Sequence, residues 1–186
     1  MSPVRPVFDP AHLYFVTTTA ANHARFFQRD VIKRIIVESL NYMRHSRWIN
    51  LYAFVIMPNH VHFISRFHEN HALSDVMREF KKHTARQIIR QYQVEDNQAV
   101  LKAMMKAATN YRGQEYKVWE QGYDARDIYT PGFLRQKLDY VHFNPCQDRW
   151  RLVELPEDYV WSSARFYLLD KPAVIDVDDV RELFVE

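Results

Sequence analysis

The segment Ile56-Met57-Pro58-Asn59-His60-Val61-His62-Phe63-Ile64 sets two imidazoles one residue apart in what reads as β-strand. Alternate side chains of a strand share a face, so His60 and His62 point the same way. Such a pair can hold a divalent metal or can simply form a polar sheet surface. It does not complete a site alone, because zinc or magnesium needs a third ligand and open positions.

Residues 130–145 offer that ligand. Thr130-Pro131 is a helix start, with Thr as N-cap and Pro at the first helical position, and Pro145 is expected to end the helix by Asn144. Leu134, Leu138 and Val141 form its apolar stripe. Tyr140 and Asn144 are four residues apart and share a face off that stripe with Phe133 and Lys137, while His142 points roughly the other way. If this face meets the histidine strand, the Asn144 amide oxygen completes a three-ligand site and the Tyr140 phenol lies one turn away. A phenol, with an ordinary pKa of about 10, is a nucleophile that needs help. A metal on a phosphodiester gives that help by polarising phosphorus and steadying the developing charge. The reaction this suggests is transesterification that leaves a phosphotyrosine link. Lys137 would lower the phenol's pKa or touch a phosphate, or be only a solvated lysine. The bland alternative for Tyr140 is a partly buried ring with its hydroxyl hydrogen-bonded.

The elements that must position these residues follow from periodicity. Residues 13–19 read as a strand. From Asp30 to His45 apolar positions recur at helical spacing, and Ile49–Met57 and His60–Arg66 read as a hairpin around Pro58-Asn59. Residues 73–92 form a long amphipathic helix, Val100 to Ala108 a short one, and Tyr116 to Glu120 a fourth strand. The order β-α-β-β-α-β plus a further helix predicts an α+β, ferredoxin-like (split βαβ) antiparallel sheet with helices on one face and the other face free. No linker or repeat interrupts residues 1–186, so a single domain is expected. Its body spans about 10–149, and an extension of about 150–186 wraps it.

Composition bounds the class. No apolar run approaches the ~18 residues of a membrane span, and no signal-peptide core is visible. Cys146, the only cysteine, excludes an internal disulfide. A cytoplasmic protein is the expectation. The net charge of +2 says little about partners, but residues 78–90 hold five Lys or Arg against one acid. Arg78, Lys81, Lys82 and Arg86 lie off that helix's apolar stripe, as DNA backbone contacts or as a solvated face; beside a phosphodiester site the former is the better reading.

The segments MPNHVHFI, LSDVMREFKKHTARQI, WEQGYD, KLDYVHFNP and PEDYVWSS together resemble the single-tyrosine HUH transposases, the IS200-like group, and within it the REP-associated tyrosine transposase branch. The resemblance spans about Tyr14 to Ser163. It implies an HUH endonuclease fold with a C-terminal catalytic helix, Mg²⁺ or Mn²⁺ as cofactor, and cleavage and rejoining of single-stranded DNA near hairpins. It also implies a 5′-phosphotyrosine intermediate. The metal-binding pair falls on His60 and His62, the third ligand on Asn144 and the nucleophile on Tyr140. Asn rather than Gln at the third ligand favours a monomer over a homodimer. Two departures stand out. The chain reads Cys146-Gln-Asp-Arg-Trp after Asn-Pro, where a valine and soon a glycine are usual, and the segment 94–113 is long. A catalytically inactive, domesticated transposase that only binds nucleic acid, and a hydrolase using water as nucleophile, are the competing readings.

Overall fold

The computed structural model describes residues 8–109, 111 and 113–184. Four strands make one antiparallel sheet in the order β2-β3-β1-β4. They are β1 (Leu13–Thr19), β2 (Ile49–Ile56), β3 (His60–Phe67) and β4 (Asp124–Ile128). Between them run α1 (Asp30–His45), α2 (Leu73–Val94) and α3 (Gln98–Ala108), and after them α4 (Pro131–Phe143) and a short α5 (Ala164–Leu169). This is the expected α+β split arrangement.

Strand alternation divides the sheet into two faces. Val16, Phe54, Val61 and Phe63 share one and are buried beneath α1 and α2. The paired positions Thr17↔His62 and Phe15↔Ile64 share the other. That second face was expected to be free. Instead α4 crosses it, setting Tyr140 edge-on to Phe15. The apolar stripe of α4 accounts for this: Leu134 and Val141 are buried, and α4 packs on β2 and β3.

The fourth strand also differs from expectation. Tyr116–Glu120 is aromatic and strand-like in composition, yet it forms only an isolated bridge, Ala20↔Trp119. Its backbone is claimed elsewhere: Lys117 N–H donates to Met104 O, and Val118 O accepts from Ala21 N–H. The pairing strand is Asp124–Ile128, a short charged edge. Such residues protect an exposed edge against further pairing and so carry no hydrophobic signal.

The chain beyond α4 covers the other edge. Ile56 N–H donates to Trp161 O and Ser163 N–H to Phe54 O. The Asp178 carboxylate accepts from Leu51 N–H, and Asp178 N–H donates to Leu51 O. Among the described residues no helix is long and apolar enough to cross a membrane.

Candidate active site

His60 and His62 lie side by side on β3, their ring centroids 4.5 Å apart. Both are nearly enclosed, at 8% and 5% exposure. Burial holds His60 down at a pKa of about 4, helped by the nearby Arg149 guanidinium, while the Asn144 side chain weakly opposes the shift. Burial, the His60 ring, Arg149 and Lys137 push His62 well below the usual range. Both rings are therefore neutral near pH 7 and each keeps one nitrogen lone pair.

Hydrogen bonding fixes which nitrogen is free on His60. The Asn59 amide donates through Nδ2 to His23 O, at 3.0 Å, which turns its Oδ1 towards His60 Nδ1, at 2.6 Å. An amide oxygen only accepts, so Nδ1 carries the proton and Nε2 is the bare lone pair. That Nε2 is buried and has no hydrogen-bond partner among the described residues. His62 Nδ1 is held by Thr17 Oγ1 at 2.8 Å, directly across the β1–β3 ladder. A donor–acceptor partner on the far ring nitrogen is the usual support for an imidazole that ligates a metal through Nε2.

Asn144 completes the cluster. Although it precedes Pro145, it stays in the α region, at φ −54° and ψ −43°. The chain therefore tightens into a short 3-10 turn, Asn144–Cys146, instead of leaving the helix axis. The Asn144 side chain is thereby kept under the helix, at 0% exposure, with neither its Oδ1 nor its Nδ2 hydrogen-bonded among the described residues. Buried polar atoms without partners are rare because each costs desolvation free energy that nothing returns. A cation would satisfy the Asn144 oxygen and the His60 nitrogen together. Among the described residues no three His, Cys, Asp or Glu side chains gather to hold a metal, so a three-ligand set built on the two histidines would need the Asn144 amide oxygen. Two neutral imidazoles and one amide oxygen, with further positions open, fit a hard divalent cation such as Mg²⁺ or Mn²⁺.

Tyr140 packs against this cluster, its ring 5.2 Å from the His62 ring. Its hydroxyl makes no hydrogen bond among the described residues, so the bland reading of a core tyrosine with a bonded hydroxyl does not describe it. Lys137 Nζ sits 4.7, 5.1 and 5.5 Å from the ring centroids of Phe15, Phe133 and Tyr140. Burial, and then Arg126, lower its pKa. Asp124 opposes that shift, and a lysine held among ring faces keeps its charge beside the phenol.

The other predicted cations lie on α2, across the sheet. Arg78 pairs with Asp75 and Glu79, and Lys82 with Glu79. Lys81 donates to the carbonyls of Glu120 and Gly122, and burial, with Lys117 nearby, lowers its pKa to about 8. It ties α2 to the loop before β4. Lys82 and Arg86 line a cavity of about 400 Å³ between α2 and residues 114–119. Of the five predicted DNA contacts, Lys137 alone joins the histidines and the tyrosine.

Sequence reasoning passed over Thr17, Asn59, Phe15, Arg25, Arg149 and Trp150. Asn59 stands next to His60 in sequence. Thr17 becomes visible only once the β1–β3 register is known.

The family model described as "Transposase IS200 like" matches residues 10–131. The match includes His60 and His62 and stops before Tyr140 and Asn144. No curated protein matches the chain significantly in sequence. A solved structure of a REP-associated tyrosine transposase bound to a REP hairpin is 19% identical, with a TM-score of 0.61 over 97% of this chain and 93% of that one. A Deinococcus radiodurans R1 crystal structure assigned as a transposase is 15% identical, with a TM-score of 0.47 over 76% of this chain and 95% of that one.

Proposed function

Because the chain belongs to the IS200-like transposase family, we propose that it cleaves and rejoins single-stranded DNA through a 5′-phosphotyrosine intermediate formed on Tyr140. One observation carries the reading: a phenol that makes no hydrogen bond among the described residues packs against His62, where His60 Nε2 and the Asn144 amide are buried without partners among those residues.

His60, His62 and Asn144 would hold Mg²⁺ or Mn²⁺. When bound, the cation polarises the scissile phosphate and spreads the charge that builds on its oxygens. The protein's own groups do the rest. Tyr140 Oη attacks phosphorus, the new O–P bond forms as the P–O3′ bond breaks, and the departing 3′-oxygen takes up a proton while the phenol gives one up to solvent. Lys137 stabilises the phenolate and the phosphate oxygens, since its ammonium is held over the same ring. Attack of a second 3′-hydroxyl on the phosphotyrosine reverses the step and joins the strands.

The substrate in this reading carries a hairpin, as the ligand of the REP-associated relative does. Arg86, Lys82 and Arg78 supply backbone contacts away from the reacting bond, Lys81 being spent on two carbonyls. Because Tyr140 reaches the histidines of its own chain, a monomer suffices.

The test is a single-stranded hairpin oligonucleotide incubated with the protein and Mn²⁺. A covalent protein–DNA band is expected, and it should disappear with chelator and in Tyr140→Phe. Free 5′-phosphate ends without a covalent band would assign a water nucleophile. Hairpin binding without any cut would assign an inactive binding module.

A further inference from the structure

We propose that Arg25 and Arg149, arrayed around the indole of Trp150 beside His60, bind one backbone phosphate of the DNA strand next to the scissile bond; this rests on the cleavage reading above. The Trp150 ring lies 5.7 Å from the His60 ring. The Arg25 and Arg149 guanidinium carbons lie 5.6 and 5.8 Å from that same indole. Both arginines are solvent-exposed. Among the described residues neither has a carboxylate within ion-pair distance, unlike Arg78, Arg126 and Arg151. The acid nearest in sequence, Asp148, is taken by Arg151. Two like charges held against one ring with no acid between them repel, and an anion relieves the repulsion. Trp150 Nε1 is also buried without a partner among the described residues.

The surrounding backbone makes this a built arrangement. After Asn144 the chain folds back on itself: Trp150 N–H and Arg151 N–H donate to Gln147 O, and Leu152 N–H to Pro145 O. Arg25 sits in a loop tied to the turn before β3, where Phe27 N–H donates to Pro58 O and the Asn59 side chain to His23 O. The two arms therefore hang from the same short segments that place Asn144 and His60. The departure from the family pattern at Cys146-Gln-Asp-Arg-Trp acquires a role: it supplies the indole and one guanidinium. A phosphodiester is the ligand that two planar, always-charged forks suit best, and one phosphate beside the reacting one keeps the strand in register over Tyr140.

The experiment measures binding of a fluorescent hairpin oligonucleotide in chelator, with a neutral methylphosphonate placed at one linkage at a time. Wild-type protein should lose about tenfold in affinity at one linkage adjoining the scissile one, as for a charge-assisted contact. R25Q/R149Q should show a similar loss on unmodified DNA, no further loss at that linkage, and a log K against log salt slope shallower by about 0.7, one phosphate's share on a single strand. A scan without such a linkage, or one unchanged in the double variant, overturns the proposal. The covalent-adduct assay runs in parallel. An adduct with an unchanged scan sinks this inference and leaves the cleavage reading. An arginine-dependent linkage without an adduct does the reverse.

Discussion

The two faces of β3 are built by opposite rules. Val61 and Phe63 point beneath α1 and α2 into apolar surroundings, exposed by 0% and 2%. His60 and His62 point beneath α4 among Thr17, Asn144 and Tyr140, where His60 Nε2 and both Asn144 amide atoms are buried without partners among the described residues. Burial on the first face stabilises the fold, by roughly 1.5–3 kcal/mol for a large apolar side chain. Burial on the second face works against it, since an unsatisfied buried polar atom costs about 1–3 kcal/mol. A strand that carries both teaches where the molecule gives up stability, and that place is the one we propose as the cation site.

The sharpest way to break the comparison is Tyr140→Phe. DNA cleavage should fall by at least about 10³-fold, as for other lost nucleophiles, while the melting temperature stays put because the hydroxyl makes no hydrogen bond among the described residues. On the apolar face, Phe63→Ala should cost about 3–5 kcal/mol in urea unfolding and leave the Mn²⁺ affinity of the folded protein unchanged. A Phe63→Ala protein with wild-type stability would remove the distinction between the faces. Asn144→Leu should do the opposite on the polar face. Metal-free stability rises by about 1–3 kcal/mol as the unpaired amide is replaced by an apolar group of similar size, and the extra stability conferred by Mn²⁺ is lost.

Acid sharpens the contrast further. Burial lowers both His60 and His142 to about 4 from an ordinary 6.5. Between those values the unfolded chain binds protons that the native state refuses. Metal-free stability is therefore full above pH 6.5 and falls as the pH drops towards 4, by up to about 1.4 kcal/mol per pH unit for each ring. Denaturant titrations at stepped pH check this, and a flat profile across that window would contradict it. The smallest effect is expected from Thr17→Val, which removes the partner of His62 Nδ1. Mn²⁺ affinity should weaken by about tenfold with little change in stability.

Much of this contrast is legible in the amino-acid order. The helical spacing of Ile32, Ile36 and Leu40 and the alternation through β3 announce the elements, and the His60–His62 and Tyr140–Asn144 spacings announce two faces able to meet. β4 stays hidden because Asp124 to Ile128 reads as charge rather than as strand. Thr17 stays hidden because register is a property of two strands at once. Trp150 reaches His60 only through the turn that begins at Asn144, and that turn exists because Asn144 keeps helical angles before a proline, against its local preference. Lys81 misleads for a similar reason. Its charge is visible in sequence, whereas the two carbonyls that occupy it belong to a loop some forty residues away.

One spectroscopic measurement addresses the central claim directly: electron spin-echo spectra of Mn²⁺ added to the full chain. Nitrogen couplings from two imidazoles are predicted for the wild type, with one lost in His60→Gln and one in His62→Gln. A manganese spectrum with no nitrogen coupling, the same in wild type and both variants, would mean that the unsatisfied face of the sheet is not a cation site.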